Sequence, residues 1–263
     1  MRFSALIYLV VLFACQKENK QYASQVIAHA GAGLEVSFNP FPDNSQDAIT
    51  YAVNLGVKAI EVDLQLSLDN HFFLFHDDFL NGKTTHKGCI YDKTKSEMLS
   101  VRYAFHQNQG VDLLEQVDFH GIDELFLDVR HYNSCAGQNI DSARIVNAIL
   151  GLKLKSTMKR VIVVSNFKSL LNAIKMHDKE VVCCLEVSDY NTLLNSLKQD
   201  DFEMYMIRNS KITVQQVRHV KLYDKKVIIF DIRSHQGNKN ALEKNPDYIM
   251  TDAVQSALTL IKN

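Results

Sequence analysis

Beyond roughly the first two dozen residues, the chain alternates between short apolar runs and stretches of helical pattern. The runs are rich in valine, isoleucine, leucine and phenylalanine. They cover 26–29, 59–64, 72–76, 124–129, 161–165, 181–187, 204–208, 227–232 and 248–251. Helical pattern covers 45–55, 112–119, 141–154, 168–177, 190–198, 214–223, 238–244 and 254–261. Strand followed by helix, repeated in this way, predicts a parallel α/β sheet. The strand runs are almost unbroken in apolar character, as strands covered on both faces are.

Nine runs are one too many for a (β/α)8 TIM barrel, and the spacing of the second and third resolves the surplus. Leu68-Asp69-Asn70 is a turn signal midway between Asp63 and His76. A parallel crossover needs a dozen or more residues, and no helix fits in this gap. The 72–76 run therefore returns antiparallel, as a β-hairpin, and brings His76 nearly opposite Asp63. Eight strands remain, each with a helix after it. Residues from about 77 to 110 form a small insertion before the second helix. An open doubly wound sheet is the other architecture for this pattern, but no G-x-G-x-x-G turn supports it.

Composition narrows the class. The chain has 263 residues, 46% apolar and 22% charged, which suits a well-packed globular domain. Its formal net charge of −1 carries no basic surplus, which argues against a nucleic-acid partner. The first 14 residues read as a signal peptide: Arg2, then an apolar core from Ala5 to Phe13, too short to span a bilayer. The core ends in Leu12-Phe13-Ala14-Cys15, followed at once by polar residues, and resembles a bacterial lipobox. That resemblance implies cleavage before Cys15, its lipidation, and membrane anchoring of an exported lipoprotein through a leash over 15–24. The barrel domain then occupies 25–263. Cys183 and Cys184 sit in an apolar run and read as small buried hydrophobes, while Cys89 and Cys135 carry no pairing signal.

Barrel enzymes place their chemistry at the C-terminal ends of the strands. Glu61 and Asp63 are two apart on one strand, so both face the same side, roughly 6–7 Å apart at their Cα atoms. Two inward carboxylates call for a divalent cation, and oxygen ligands favour Mg²⁺ or Ca²⁺ over zinc. Asp128, on the next barrel strand, is the natural third ligand. Arg130 shares its face and could hold a phosphate oxygen or orient the carboxylates. His29 and His76 converge on the same mouth, where two imidazoles supply a general base and a general acid near neutral pH.

Several motifs, taken in order, resemble the glycerophosphodiester phosphodiesterase family. They are Ile27-Ala28-His29-Ala30-Gly31, Pro42-Asp43-Asn44-Ser45, Ile60-Glu61-Val62-Asp63, Leu68-Asp69-Asn70, Phe75-His76-Asp77 and Ile249-Met250-Thr251-Asp252. Leu127-Asp128-Val129-Arg130 and Val164-Ser165-Asn166-Phe167 fall in family order too. The resemblance implies hydrolysis of a small phosphodiester with a divalent cation, Ca²⁺ or Mg²⁺. It makes His29 and His76 the acid/base pair, Glu61, Asp63 and Asp128 the metal ligands, and Arg130 and Asn44 substrate contacts. The neighbouring hydroxyl of the substrate attacks phosphorus, an alcohol leaves, and water opens the resulting cyclic phosphate.

The sequence departs from the family pattern in five places. Ala30 stands where the family has arginine, Asp43 replaces a glutamate, and Asp128 and Arg130 replace a glutamate and a lysine. There is no tryptophan for the glycerol pocket, and Phe230-Asp231 occupies that region. These changes motivate a second reading, a surface lipoprotein whose barrel binds a phosphodiester without turning it over. Retention of both His29 and His76 argues for the enzyme.

Overall fold

The computed structural model describes residues 22–34, 40–106, 108–152, 158–199 and 202–262. Cys15 and the apolar segment before it lie outside the described residues. The strands, in chain order, are β1 (Gln25–Ala28), β2 (Ala59–Leu66), β3 (Phe72–Leu74), β4 (Glu124–Val129), β5 (Tyr132–Asn133), β6 (Gln138–Asn139), β7 (Arg160–Ser165), β8 (Val182–Val187), β9 (Met204–Arg208), β10 (Lys226–Ile232) and β11 (Tyr248–Thr251). The helices are α1 (Gln46–Asn54), α2 (Lys95–Met98), α3 (Ser142–Leu150), α4 (Lys168–His177), α5 (Tyr190–Gln199), α6 (Val214–Lys221), α7 (His235–Glu243) and α8 (Val254–Lys262). Eight strands (β1, β2, β4 and β7 to β11) pair in parallel, and β11 returns to β1 to close the barrel.

Alternation along each strand separates two apolar layers. Ile60, Val62 and Leu64 of β2 join the layer between barrel and helices. Ala59 instead belongs to the barrel interior, with Ile27, Phe126, Ile162, Cys184 and Met206. Glu61 and Asp63 share the parity of Ala59 and therefore face inward. Cys183 lies in the outer layer and Cys184 in the inner one, both buried.

The β-hairpin forms as the spacing predicts. β3 runs antiparallel to β2, with Leu64 opposite Leu74 and Leu66 opposite Phe72. The Phe75 N–H donates to the Asp63 carbonyl at 3.1 Å, so His76 comes one residue past that partner. Gln65 donates from Nε2 to the Phe75 and Asp77 carbonyls, at 3.0 and 2.7 Å, and secures the chain on both sides of His76.

The second barrel helix is the main departure from the pattern. Helix is expected over 112–119, but only the 3-10 turn Leu114–Gln116 forms there. Pairing with β3 takes the start of the segment: Leu74 N–H donates to the Asp112 carbonyl, and Leu113 bridges Phe73. The apolar side chains still do a helix's work, since Leu114, Val117, Phe119 and Ile122 are buried against the outer layer. The insertion has a small core of its own, built from Phe73, Phe75, Leu80, Ile90, Met98 and neighbours. A disulfide from Cys89 to Cys135 ties it to the loop beyond β4.

Candidate active site

The site grows out of the turn after β1. Ala30 is left-handed (φ 49°), and Gly31 follows at φ 86°. A Cβ on Gly31 would lie 3.0 Å from Ala48 Cβ, so glycine allows α1 to approach the turn. The Ala30 carbonyl accepts from Asn44 N–H, and the Ala30 N–H donates to Glu61 Oε2 at 3.0 Å. Asn44, another left-handed residue (φ 57°), precedes Ser45, whose hydroxyl caps α1.

Glu61, Asp63 and Asp128 offer oxygen atoms that all lie within 4.8 Å of one another. The register of the sheet explains the cluster, because Asp63 of β2 sits directly beside Asp128 of β4. Among the described residues, the other group so compact is Cys89, Asp92 and Cys135, and its sulfurs are bonded to each other. Arg130 donates from Nε to Asp63 Oδ1 at 3.1 Å, pairs with it again through Nη2, and lies 3.6 Å from Asp128.

These contacts set the charge state of each carboxyl. Burial pushes Asp128 up to about 7, against the pull of Arg130. Burial, reinforced by the charge of Asp63, holds Glu61 well above its ordinary range. Asp63 is as deeply buried, and burial pushes it up, yet the Arg130 guanidinium together with His76 and His29 outweighs that burial and keeps it below the usual carboxylate range. Glu61 and Asp128 therefore take up protons more readily than ordinary carboxyls, while Asp63 stays charged beside Arg130.

Each histidine is oriented by a carboxylate. His29 Nδ1 lies 2.6 Å from Asp252 Oδ1, and its Nε2 is 3.9 Å from Glu61 Oε2. Burial works against the charged imidazole, but Asp252 and then Glu61 hold its pKa at about 9. His76 Nδ1 lies 2.9 Å from Asp77 Oδ1. Both rings line a cavity of about 180 Å³ at the barrel mouth, together with Glu61, Asp128 and Arg130. Five of the sequence-predicted groups therefore meet at one cavity, and Asp63 backs them. Asn44 takes a different place from that of a substrate contact. It is fully buried, donates from Nδ2 to Asp63 Oδ2 at 2.9 Å, and accepts from the Asp63 N–H at 2.8 Å. Both ends of its amide are thus committed to holding Asp63.

Several groups at the site escape sequence reasoning. Asp252 belongs to a recognised motif, but its partnership with His29 spans 223 residues. Glu186, the lone charge within an apolar strand run, carries the one local signal and lines the cavity with Arg208, Asp231 and Arg233. The insertion contributes Lys83, 3.3 Å from Asp43 and 3.2 Å from Asp77. Lys83 thus joins the loop that carries Asn44 to the carboxylate that orients His76. Lys83→Met should lower kcat on the order of tenfold with little change in KM. In a His76→Ala background the same substitution should cost nothing further; full additivity in this double-mutant cycle would break the link.

Histidines and carboxylates meeting at the mouth of a (β/α)8 barrel are compatible with a phosphoric diester hydrolase, and the family of the sequence assigns that class. Residues 35–222 match the Glycerophosphoryl diester phosphodiesterase family, and the chain belongs to that family. The uncharacterized protein YqiK of Bacillus subtilis (strain 168) is 23% identical over 248 residues, covering 91% of this chain and 99% of that protein. A glycerophosphodiester phosphodiesterase of Bacillus altitudinis is 33% identical over 82 residues, 29% of this chain and 34% of that one. Among solved structures, an Oleispira antarctica phosphodiesterase in complex with the product sn-glycerol-3-phosphate superposes with a TM-score of 0.76 at 22% identity, covering 91% of this chain and 97% of that one. A glycerophosphodiester phosphodiesterase from Parabacteroides distasonis gives a TM-score of 0.72 at 16% identity, covering 92% and 98%. At these identities the structures show a shared fold.

Proposed function

We propose that the chain hydrolyses glycerophosphodiesters, or closely related headgroup diesters, by two-histidine acid/base catalysis at a divalent-cation site. The observation that carries this reading is the pairing of His29 with Asp252 and of His76 with Asp77, around one cavity that also holds Glu61 and Asp128. In each pair the carboxylate engages Nδ1, which turns Nε2 toward the reacting atoms. One imidazole removes the proton of the substrate's neighbouring hydroxyl as it attacks phosphorus. The other protonates the departing alcohol, leaving a cyclic phosphate. Water then attacks that ring, the two histidines exchange roles, and a phosphomonoester is released.

The donor set fits a hard cation. Glu61, Asp63 and Asp128 present only oxygen, closely spaced and partly buried, which suits Mg²⁺ or Ca²⁺. A bound divalent cation supplies charge neutralisation for the phosphoryl oxygens. Arg130 holds Asp63 in place and, from the cavity wall, offers its guanidinium to the same oxygens.

Cation binding should depend on pH in a defined direction. Asp128 is raised to about 7 and Glu61 is raised as well, so in the cation-free chain Asp128 gains its proton as pH falls through neutrality, and a cation must displace it. Affinity for Ca²⁺ or Mg²⁺, read by calorimetry, should therefore rise from pH 5.5 toward pH 8. An affinity independent of pH over that range would count against these ligands.

Phosphorus NMR tests the reaction itself. Incubation with glycerophosphocholine and a divalent cation should convert the diester signal to a monoester, with a cyclic phosphate in transit. Conversion in which the cyclic species is demonstrably skipped would sink the neighbouring-hydroxyl step. We also propose that Cys15 anchors the mature chain to a membrane after export. The Cys89–Cys135 disulfide supports an oxidising compartment. Metabolic labelling with a fatty acid should tag the chain and fail to tag Cys15→Ser; equal labelling would refute the anchor.

A further inference from the structure

The wall of the cavity across from the acidic cluster carries an arginine pair. Within the closed ring of eight parallel strands, β9 and β10 stand opposite β2 and β4. Arg208 ends β9, and Asp231 lies near the end of β10 with Arg233 two residues on. Each oxygen of Asp231 takes one guanidinium: Arg208 Nη1 lies 3.1 Å from Oδ2, and Arg233 Nη2 lies 3.1 Å from Oδ1. The carboxylate thereby holds two cations side by side at the cavity edge. Asp231 is left-handed (φ 63°) at the register shift between Ile229 and Ile232 in β10, a conformation aspartate tolerates, and the irregularity precedes Arg233.

Two further features shape the subsite. The Arg208 guanidinium lies over the Phe230 ring, 5.0 Å from its centroid. One face of the Phe230 ring is thus covered by a cation. Glu186 of β8 is the acidic neighbour, within electrostatic reach of Arg208 and Arg130, and burial raises its pKa. Against the two arginines stand Asp231, already committed to both, and Glu186. Guanidinium pairs of this kind match the planar oxygens of a carboxylate or phosphate.

We infer that Arg208 and Arg233, held by Asp231, form a subsite for a second anionic group on the substrate, at the end of the diester away from the reacting phosphorus. The inference rests on the phosphodiesterase reading for the phosphorus side of the cavity. It assigns the preferred substrates to diesters whose alcohol bears a carboxylate or an additional phosphate.

Glycerophosphoserine and glycerophosphoethanolamine differ by a single carboxylate and make the test direct. Their affinities for the full chain are measured by calorimetry in chelator, so that binding is read without turnover. The serine diester should bind about tenfold tighter, and Arg208→Gln and Arg233→Gln should each bring the ratio close to one. Equal affinities in the unaltered chain, which needs no variant to fold, would overturn the subsite. So would a preference that survives both substitutions in folded protein. Failure to hydrolyse either diester when Ca²⁺ or Mg²⁺ is restored would overturn the proposed reaction instead, and the binding ratio would still judge the subsite.

Discussion

His76→Ala should lower kcat between about a hundred- and ten-thousand-fold while the chain stays folded. The side chain is 33% exposed and pairs with the neighbouring Asp77, so little packing is lost with it. The surrounding backbone is fixed from elsewhere, by Gln65 on either side of position 76 and by the β2–β3 pairing. KM should change little, since removing the proton-transfer group affects the reaction's transition state more than the bound substrate. Steady-state kinetics beside a melting curve reads both effects. Full activity in the variant would show that His76 takes no part in proton transfer. A collapse of the melting temperature would show that its role is structural.

Asp63→Asn should be as severe for turnover, with a cost in stability besides. Asp63 is 1% exposed and joins Arg130, Asn44 and the carboxylate cluster with Glu61 and Asp128. Asparagine keeps the shape and removes the charge. One amide end can still accept from Arg130, but the other then presents N–H groups to Asn44 Nδ2. Asn44 cannot simply turn over, because its Oδ1 accepts from the backbone N–H of residue 63. A donor faces a donor in a buried site, which costs about 1–3 kcal/mol. For a domain of this size that is a fall of several degrees, at about 2–4 °C per kcal/mol. Cation affinity should drop with the lost ligand, and turnover by a factor on the order of a thousand or more. Calorimetry with Ca²⁺ and a thermal melt separate the two effects; unaltered cation affinity would remove Asp63 from the ligand set.

Much of this architecture is legible in local pattern. The hairpin follows from chain length, because seven residues between the 59–64 and 72–76 runs leave no room for a crossover. Glu61 and Asp63 follow from strand parity, and Asp128 from the next barrel strand. The missing helix at 112–119 is a tertiary effect: β3 captures the backbone of Asp112 and Leu113, and the apolar spacing is then satisfied by a turn. Long-range partners carry no local signal. Asp252 reaches His29 only because the ring closes between β11 and β1. Lys83 reaches Asp77 because the insertion folds back, and Cys135 reaches Cys89 across 46 residues. Asn44 has the converse history: the motif marks it, and the structure shows that it serves Asp63 from behind rather than facing the cavity.

The proposed reaction is cation-dependent hydrolysis of a phosphodiester at this cavity. Its most direct test is turnover of glycerophosphocholine by the full folded chain, before chelation, after it, and after Ca²⁺ or Mg²⁺ is restored. Activity should be present, vanish in chelator and return with the cation. Turnover that is indifferent to chelation, or none under any of the three conditions, would contradict the account.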